Sequence, residues 1–297
     1  MRRIILLISL AVAALAATAD TNEMLVSTAW LQQHLQDRDL TIIDVADSDA
    51  FAAAHIRGAR QLAVTDVVVT RNNIPNELPD PAALQATLRH IGVPNRGRIV
   101  LYSRDTVSAA RVFFTLDYAG RGDDVALLDG GLNKWTSERR PVVTGAPREV
   151  AESNFVVRAH PETLVRLNAM RMIVGCAGGH GDEVAIVDAR APSEYIGAVP
   201  GSGIMNAGHI DYAINIPWNE NLTGGETPVF RSAADLRELY RTAGIKDDAT
   251  IVLYCRTGTQ ACVNYFVLRY LGRDVHLYDG SYIEWNANSM TVASLRP

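Results

Sequence analysis

The sequence predicts an α/β fold with two tandem domains, each a small, mostly parallel sheet flanked by helices. Apolar runs rich in β-branched residues alternate with helical patterns along the chain, as expected for parallel sheets. Residues 99–104 (IVLYSR) return 152 residues later as 251–256 (IVLYCR). Residues 128–130 (LDG) return as 278–280 (YDG), and a tryptophan follows each at the same distance. Because these matches occur in the same order, we interpret them as a duplicated domain.

The first residues form a leader pattern. Two arginines precede an apolar run over residues 4–15, which is too short to span a bilayer, and a small-x-small sequence (ATA) follows it. We expect residues 1–19 to be a signal peptide that is cleaved near Ala19 and Asp20. The mature protein is then periplasmic or secreted and is not held at the membrane. An uncleaved membrane anchor is the alternative.

Charge and cysteine content narrow the range of functions. The formal net charge is −5. It becomes about −7 without the two leader arginines, which disfavours nucleic acid as a partner. Three cysteines, Cys176, Cys255 and Cys262, leave at least one thiol outside any disulfide. No cluster of cysteine and histidine has zinc spacing, so we expect neither a metal nor another cofactor.

In the first half of the mature chain, helical and strand patterns alternate. Gly92 is a typical stop for the third helix. The predicted helices cover 29–35, 49–54, 79–91 and 108–118, and the predicted strands cover 40–45, 98–102 and 125–128, with a further strand after the turn at 55–59. We place the first domain at 24–142, a linker of mixed charge at 143–157 and the second domain at 158–297.

The second half repeats this order. Residues 186–188 match residues 42–44, and residues 208–210 match residues 54–56. Each half is therefore expected to be a small α/β domain. In such domains the chemistry lies at the carboxyl ends of the strands.

One loop has the features of a reactive site. The apolar run 251–254 ends at Cys255, a small polar loop with Gly258 follows, and a helical pattern resumes at 263–271. A loop between a strand and a helix aims backbone N–H groups and the positive helix end at one spot, which stabilises an anion by about 0.3–1 kcal/mol. We therefore predict that Cys255 acts as a thiolate nucleophile. A buried, inert thiol is the alternative.

The residues of this loop resemble a known family. Residues 255–260 (CRTGTQ), the Cys255 loop, resemble the six-residue active loop of the rhodanese sulfurtransferases. Residues 186–190, with 194–197 and 208–210, resemble the N-terminal signature of that family, and residues 278–285 resemble its C-terminal signature. The resemblance covers nearly the whole mature chain in the tandem form, in which an inactive first domain precedes a catalytic second domain.

The resemblance implies a sulfur transfer in two steps. The Cys255 thiolate attacks the outer sulfur of thiosulfate, sulfite leaves, and a cysteine persulfide remains for an acceptor such as cyanide, a small thiol or a protein. The partners are thus a small-molecule sulfur donor and a thiophilic acceptor. Arg190 matches the substrate-binding arginine of the family, whose guanidinium suits an oxyanion. The implied substrate-binding set is Arg190, Arg256, Thr257, Gly258, Thr259 and Gln260.

The preferred donor is less clear from the loop. Arg256 is typical of the loops that use thiosulfate, whereas loops that use mercaptopyruvate usually carry glycine there. Thr257 and Gln260 depart from the residues common in thiosulfate users, so 3-mercaptopyruvate stays as the alternative donor.

Two other functional classes are compatible with a reactive cysteine. A non-enzymatic persulfide carrier would share Cys255 but show no steady-state turnover. A cysteine phosphatase would need an arginine six residues after the cysteine, where this sequence has Ala261, so we disfavour that class.

The first domain lacks the same chemistry. Ser103 stands where the second domain has Cys255, and residues 44–46 (DVA) offer no counterpart to Arg190. We interpret the first domain as a packing module that lines the site, and a binding role for Arg104 stays open.

The remaining polar and sulfur-bearing residues are expected to be structural. Cys262 is predicted to be a core cysteine in the helix after the Cys255 loop. Cys176 is predicted to be a loop thiol in the glycine-rich segment 175–181. Anchoring or packing roles are expected for His55 and His209, Asp188 and Asp279, and Trp135 and Trp285.

Overall fold

The computed structural model describes residues 24–180 and 183–293, and it contains the two α/β units that the sequence predicts. The predicted signal peptide, residues 1–19, lies outside the described residues. Within the described part of the chain, no helix is both long enough and apolar enough to cross a membrane.

The first unit contains a parallel sheet with helices around it. Its strands are β1 (Leu25–Val26), β2 (Leu40–Val45), β3 (Arg60–Leu62), β4 (Val69–Arg71), β5 (Ile74–Glu77), β6 (Arg98–Tyr102) and β7 (Val125–Leu128). Its helices are α1 (Thr28–His34), α2 (Ser48–Ala53), α3 (Pro81–His90), α4 (Thr106–Tyr118) and α5 (Gly131–Ser137). The sheet has the order β1-β7-β6-β2-β3, while β4 and β5 form a separate antiparallel hairpin. The predicted strands at 40–45, 98–102 and 125–128 are confirmed at these bounds.

The second unit repeats this architecture. Its strands are β8 (Leu164–Val165), β9 (Val184–Asp188), β10 (Ile214–Asn215), β11 (Thr250–Tyr254) and β12 (Val275–Tyr278). Its helices are α6 (Leu167–His180), α7 (Pro192–Tyr195), α8 (Ala233–Thr242), α9 (Ala261–Tyr270) and α10 (Ser281–Ala293). The strands are parallel in the order β8-β12-β11-β9-β10, which matches the first sheet strand for strand. The duplication inferred from the sequence is therefore confirmed in the topology.

Helix α6 corrects one prediction. It runs through the glycine-rich segment as far as His180, so Cys176 lies on a helix and not in a loop, and its side chain is exposed. Met170 is buried, and Val174, one helical turn later, packs on the same core. This apolar spacing stabilises the helix against the low helix propensity of the glycines that follow.

The two domains pack against each other through α4 and α9. Phe113 meets Phe266 edge to face, with ring centroids 5.0 Å apart. Arg269 Nε donates to the carboxylate of Asp117 at 3.0 Å, across 152 positions of the chain. Asp117 and Arg269 are therefore equivalent positions of the repeat. Buried apolar residues of both domains join in one core, so the first domain is a fixed neighbour of the second.

The segment 143–157 lies against the first domain. Val143 forms an isolated bridge with His55, and Phe155 is buried in the core. Arg89 Nε also donates to the carbonyl of Phe155 at 2.7 Å. The predicted linker is thus held against the first domain at its two ends, whereas residues 144–152 between them are exposed. The domain boundaries around it stay a prediction.

Candidate active site

Cys255 directly follows β11, the central strand of the second sheet, and is 1% exposed. Its N–H donates to the hydroxyl oxygen of Ser281 at 3.3 Å, and its carbonyl accepts the N–H of Tyr282 at 3.0 Å. Ser281 and Tyr282 begin α10. The first turn of α10 therefore holds the backbone of Cys255 at the carboxyl end of the sheet.

The Cys255 loop curls before the helix starts. Gly258 has a φ of +79°, and a Cβ at this position would lie 2.6 Å from the carbonyl oxygen of Asp279. Only glycine adopts that backbone without strain and fits that space. Helix α9 then begins at Ala261, and its N-cap residue, Gln260, makes no side-chain capping bond. The N–H groups of Cys262 and Val263 bond to the carbonyls of Thr259 and Gln260, so the donors left for an anion are those of the loop itself and of Ala261.

The predicted loop residues lie together around Cys255. Thr257, Thr259 and Gln260 are half-buried, whereas Gly258 is buried. The carbonyls of Thr259 and Gln260 accept N–H groups from the first turn of α9, which ties the end of the loop to the helix.

Arg256 projects from this loop toward solvent. Its side chain is 41% exposed, and its NH1 lies 3.6 Å from Oε1 of Glu194, at the end of α7. The same side chain passes over Gly201, where a Cβ would lie 2.6 Å from Arg256 Cδ. Arg256 therefore places a cation at the edge of the Cys255 loop, partly balanced by one carboxylate.

Arg190 has a different environment. It is 1% exposed, its Nε and NH2 donate to the carboxylate of Asp188, and NH2 also donates to the carbonyl of Gly208 at 2.8 Å. Although burial lowers its pKa, the hydrogen bonds and charge of Asp188 raise it on balance. The guanidinium lies 4.0 Å from the ring centre of Tyr282, the residue that holds the Cys255 carbonyl. The structure thus places Arg190 against Tyr282, one residue away from a direct contact with Cys255.

Residues of the first domain also contact the loop, and the sequence did not predict them. Asn76 Nδ2 donates to the hydroxyl oxygen of Thr257 at 3.2 Å. The N–H of Leu78 donates to Asp279 at 2.8 Å, and Arg111 NH1 donates to the same carboxylate at 2.7 Å. The hairpin β4–β5 and helix α4 therefore form one wall of the site.

The sequence contained one signal for this wall. Arg111 lies in an otherwise apolar stretch of α4, at the position where the repeat has Val263. Burial lowers the pKa of Arg111, but the neighbouring Asp279 carboxylate raises it on balance, so the side chain is a buried cation. An arginine where the second copy has valine could have been flagged as functional.

Cys262 behaves as the core cysteine that the sequence predicts. Its side chain is fully buried, and burial raises the pKa of its thiol to about 12. The thiol donates to the carbonyl of Gly258 at 3.1 Å. Cys176, Cys255 and Cys262 are all free thiols in the structure.

The Ser103 loop (residues 103–108) occupies the equivalent place in the first domain. Ser103 Oγ donates to the carbonyl of Val45 at 2.8 Å. Asp105 accepts the N–H of Ser108 at 2.7 Å and so caps α4 with its own carboxylate. A cavity of about 250 Å³ remains beside Ser103, and Trp218 and other apolar side chains line it. This loop keeps a cavity, but its helix end is already occupied.

Arg104 is directed back into its own domain. Its NH2 donates to the carbonyls of Ala50 and Ala54, and its NH1 lies 4.0 Å from the carboxylate of Asp44. Neither oxygen of the buried Asp44 has a hydrogen bond among the described contacts. Burial raises the pKa of Asp44 to about 6, against the opposing effects of Tyr102 and Arg104.

The residues predicted to be structural make structural contacts. His55 stacks on Phe51, and His209 stacks on Tyr195, each with ring centroids 3.8 Å apart. Trp135 is fully buried. Across residues 24–180 and 183–293, no group of three or more histidine, cysteine, aspartate or glutamate side chains is arranged to hold a metal ion.

Comparisons with known proteins agree with this geometry. The family model for the rhodanese-like domain matches residues 27–138 and again residues 176–288. The sulfur carrier protein TtuD of Thermus thermophilus is 35% identical over 284 residues, which covers 89% of this chain and 93% of that protein. A protein of Saccharopolyspora erythraea, provisionally named a thiosulfate sulfurtransferase, is 30% identical over 275 residues, covering 89% of this chain and 94% of the relative. The crystal structure of Escherichia coli SseA, described among the 3-mercaptopyruvate sulfotransferases, superposes with a TM-score of 0.75 at 26% identity, covering 88% of this chain and 99% of that chain.

Proposed function

The chain belongs to the rhodanese-like domain family and is a tandem-domain sulfurtransferase, and on that premise we propose that it takes its sulfur from thiosulfate. The sulfur passes through a persulfide on Cys255 to a thiophilic acceptor, such as cyanide or a thiol. Arg190 and the loop residues Arg256 to Gln260 bind the donor.

The reaction consists of two displacements at sulfur. The Cys255 thiolate forms a bond to the outer sulfur of thiosulfate, and the bond between the two thiosulfate sulfurs breaks, with its electron pair leaving on sulfite. The acceptor then forms a bond to the outer sulfur of the persulfide, and the Cys255 thiolate is released. With cyanide as the acceptor, the product is thiocyanate. Backbone N–H groups of the Cys255 loop and of Ala261 stabilise the anionic sulfur in both states.

The observation that carries the proposal is the cation beside an uncapped helix start. Arg256 is half-exposed at the edge of the loop, and Gln260 leaves the N-terminus of α9 without a side-chain cap. A thiosulfate dianion needs both a counter-charge for its oxygens and donors near its outer sulfur. This arrangement supports a small, doubly charged donor.

A comparison of donors tests the proposal. Thiosulfate and 3-mercaptopyruvate are supplied separately with cyanide, and the thiocyanate formed is measured. We expect the higher kcat/KM with thiosulfate. A mass gain of one sulfur on the intact protein, absent in Cys255→Ala, places the intermediate on Cys255. A higher kcat/KM with 3-mercaptopyruvate would replace thiosulfate by the alternative donor.

The relatives favour two alternatives to be tested beside it. The similarity to SseA favours 3-mercaptopyruvate, and the similarity to TtuD favours a carrier that hands sulfur to another protein. A carrier takes up one sulfur from thiosulfate but releases no steady-state thiocyanate. The same assay therefore separates a carrier from a thiosulfate-using enzyme.

We also propose that the protein is exported and that residues 1–19 are removed. The charged start and the apolar run before the ATA sequence support this location. Fractionation of cells followed by N-terminal sequencing tests it, with a mature start near Asp20 expected. An intact Met1 on protein recovered from the cytosol would refute the export.

A further inference from the structure

Arg111 of the first domain extends across the interface to the Cys255 loop. It is fully buried. Its NH1 donates to the carbonyl of Gly258 at 3.1 Å and to Asp279 at 2.7 Å, and its NH2 donates to the carbonyl of Asn76 at 2.6 Å. One side chain of the first domain therefore joins the hairpin β4–β5, Asp279 of the segment 278–285 and the Cys255 loop.

Packing alone does not call for an arginine at this position. The equivalent residue of α9, Val263, is also fully buried. Removing a guanidinium from water costs several kcal/mol, which its partners must offset. The repeat shows that this position of the helix accepts an apolar side chain. What Arg111 adds over valine is a set of directed hydrogen bonds.

The bond to Gly258 has a direct consequence for the loop. In a trans peptide the C=O and the following N–H point in opposite directions. The Gly258 carbonyl accepts from Arg111 and also from the Cys262 thiol at 3.1 Å, so it is directed toward the first domain. The N–H of Thr259 then faces the other way. Because glycine tolerates other backbone angles, the orientation of this carbonyl depends on these two donors.

We propose that Arg111 is a positioning residue that holds the Gly258–Thr259 peptide so that the Thr259 N–H faces the sulfur of Cys255. Persulfide formation then depends on a residue of the domain that has no nucleophile. The proposal rests on the proposed sulfur transfer for its kinetic readout, but the geometry of the loop can be tested without any donor.

Asn76 acts in the same network. It has a φ of +63°, a left-handed conformation that asparagine tolerates better than most residues. Its carbonyl accepts from Arg111, while its side chain donates to Thr257. The hairpin thus holds Arg111 through the Asn76 carbonyl and holds Thr257 through the Asn76 side chain.

The test compares Arg111→Met and Arg111→Lys with Arg269→Gln. Arg269 forms an ion pair with Asp117 across the same interface but does not contact the Cys255 loop, so its variant reports the effect of a weakened interface alone. For each variant we measure the melting temperature, the single-turnover rate of persulfide formation with thiosulfate, and KM and kcat in the steady state. Alkylation of Cys255 by iodoacetamide, followed by mass spectrometry of its peptide, provides a readout that needs no sulfur donor.

We expect Arg111→Met to slow persulfide formation by about 100-fold or more, the usual effect of losing one preorganised donor. Arg111→Lys should recover part of the rate. The lysine variant keeps a charge beside Asp279, so it remains a usable test if Arg111→Met does not fold. KM should change by less than about 3-fold in both, because the loss falls on kcat. Alkylation of Cys255 should slow in parallel, and Arg269→Gln should retain the wild-type rates.

Two results would overturn the proposal. One is a folded Arg111 variant with wild-type rates of persulfide formation and alkylation. The other is a loss of rate in Arg269→Gln that matches the loss in the Arg111 variants. If wild-type protein takes no sulfur from thiosulfate, the proposed donor fails, and the alkylation rates still decide the role of Arg111.

Discussion

The Ser103 loop and the Cys255 loop follow equivalent strands and lead into equivalent helices. In the first domain α4 begins at Thr106, whereas α9 begins at Ala261, three positions later in the repeat. The residue equivalent to Thr106 is Gly258, whose positive φ takes the chain off the helical path. The two loops thus differ by a delayed start of one helix, while the strand order of the two sheets is the same.

The N-terminal caps of the two helices also differ. Asp105 caps α4 with a carboxylate, while Gln260 leaves α9 without a side-chain cap. A helix N-terminus attracts one negative group most strongly. In the first domain the chain itself provides that group, and in the second domain we expect the sulfur anion of the proposed reaction to take that place.

An arginine lies beside the aspartate in both domains, but it comes from different elements. Arg190 donates to the carbonyl of Gly208, and Arg104 donates to the equivalent carbonyl of Ala54. Arg190 also forms hydrogen bonds to Asp188, whereas Arg104 stays 4.0 Å from Asp44. The first domain has thus filled the arginine position from its own loop and left its carboxylate poorly paired.

The nucleophile is the largest difference between the loops, and Cys255→Ser removes it. We expect thiocyanate formation to fall by at least about 1,000-fold, because a serine hydroxyl without a base is not ionised. Intact mass after incubation with thiosulfate should show no added sulfur. Retained turnover in Cys255→Ser would place the chemistry elsewhere.

The delayed helix start is tested by giving Gly258 the residue of the first domain. In Gly258→Thr the side chain is strained by the positive φ and clashes with the Asp279 carbonyl. We therefore expect the free energy of unfolding to fall by about 2–4 kcal/mol and the rate of persulfide formation to fall by about 100-fold. The matched control is Thr106→Gly, which should cost under about 1 kcal/mol and leave the rate unchanged. Denaturant melts and single-turnover kinetics measure both. Equal effects of the two substitutions would show that the helix start is irrelevant.

Arg190 is expected to serve donor binding, and Arg104 is not. Arg190→Ala should raise the KM for thiosulfate by about 10-fold, with a smaller effect on kcat, because a cation next to the loop is lost. Since it also leaves Asp188 buried and unpaired, a thermal melt must accompany the kinetics, and Arg190→Lys provides a milder variant. Arg104→Ala should leave KM unchanged. An unchanged KM in folded Arg190→Ala would remove Arg190 from donor binding.

The last difference between the domains, the poorly paired carboxylate of the first, is expected to change stability and not the rate. Burial raises the pKa of Asp44 to about 6. The folded state therefore holds the Asp44 proton at pH values where the unfolded state has lost it, and stability falls as the pH rises from about 4 to 6. We expect Asp44→Asn to increase the free energy of unfolding at pH 7 by up to about 3 kcal/mol and to give no gain at pH 4. Melting temperatures across this range check it, and a gain that does not depend on pH would contradict the buried charge.

Much of the fold and the centre of the site could be predicted from the sequence, because both depend on local patterns. The strand at 98–102 was predicted at its observed bounds from its apolar run alone. Gly258 pointed to a curled loop because a glycine after a strand often marks a positive φ. The glycine-rich segment around Cys176 was wrongly predicted to be a loop. Its helical structure depends on the packing of the earlier part of α6, which the local composition does not show.

The sequence by itself determined that the chain is duplicated and that the second copy has Cys255 where the first has Ser103, since the order and identity of the residues show both. Only the tertiary structure decided that Arg111, Asn76 and Leu78 of the first copy hold the Cys255 loop and its neighbour Asp279. It also decided that Arg190 is buried behind Tyr282, while Arg256 is half-exposed. These contacts join residues up to 201 positions apart in the chain, and no local pattern specifies which distant donor a carbonyl or carboxylate meets.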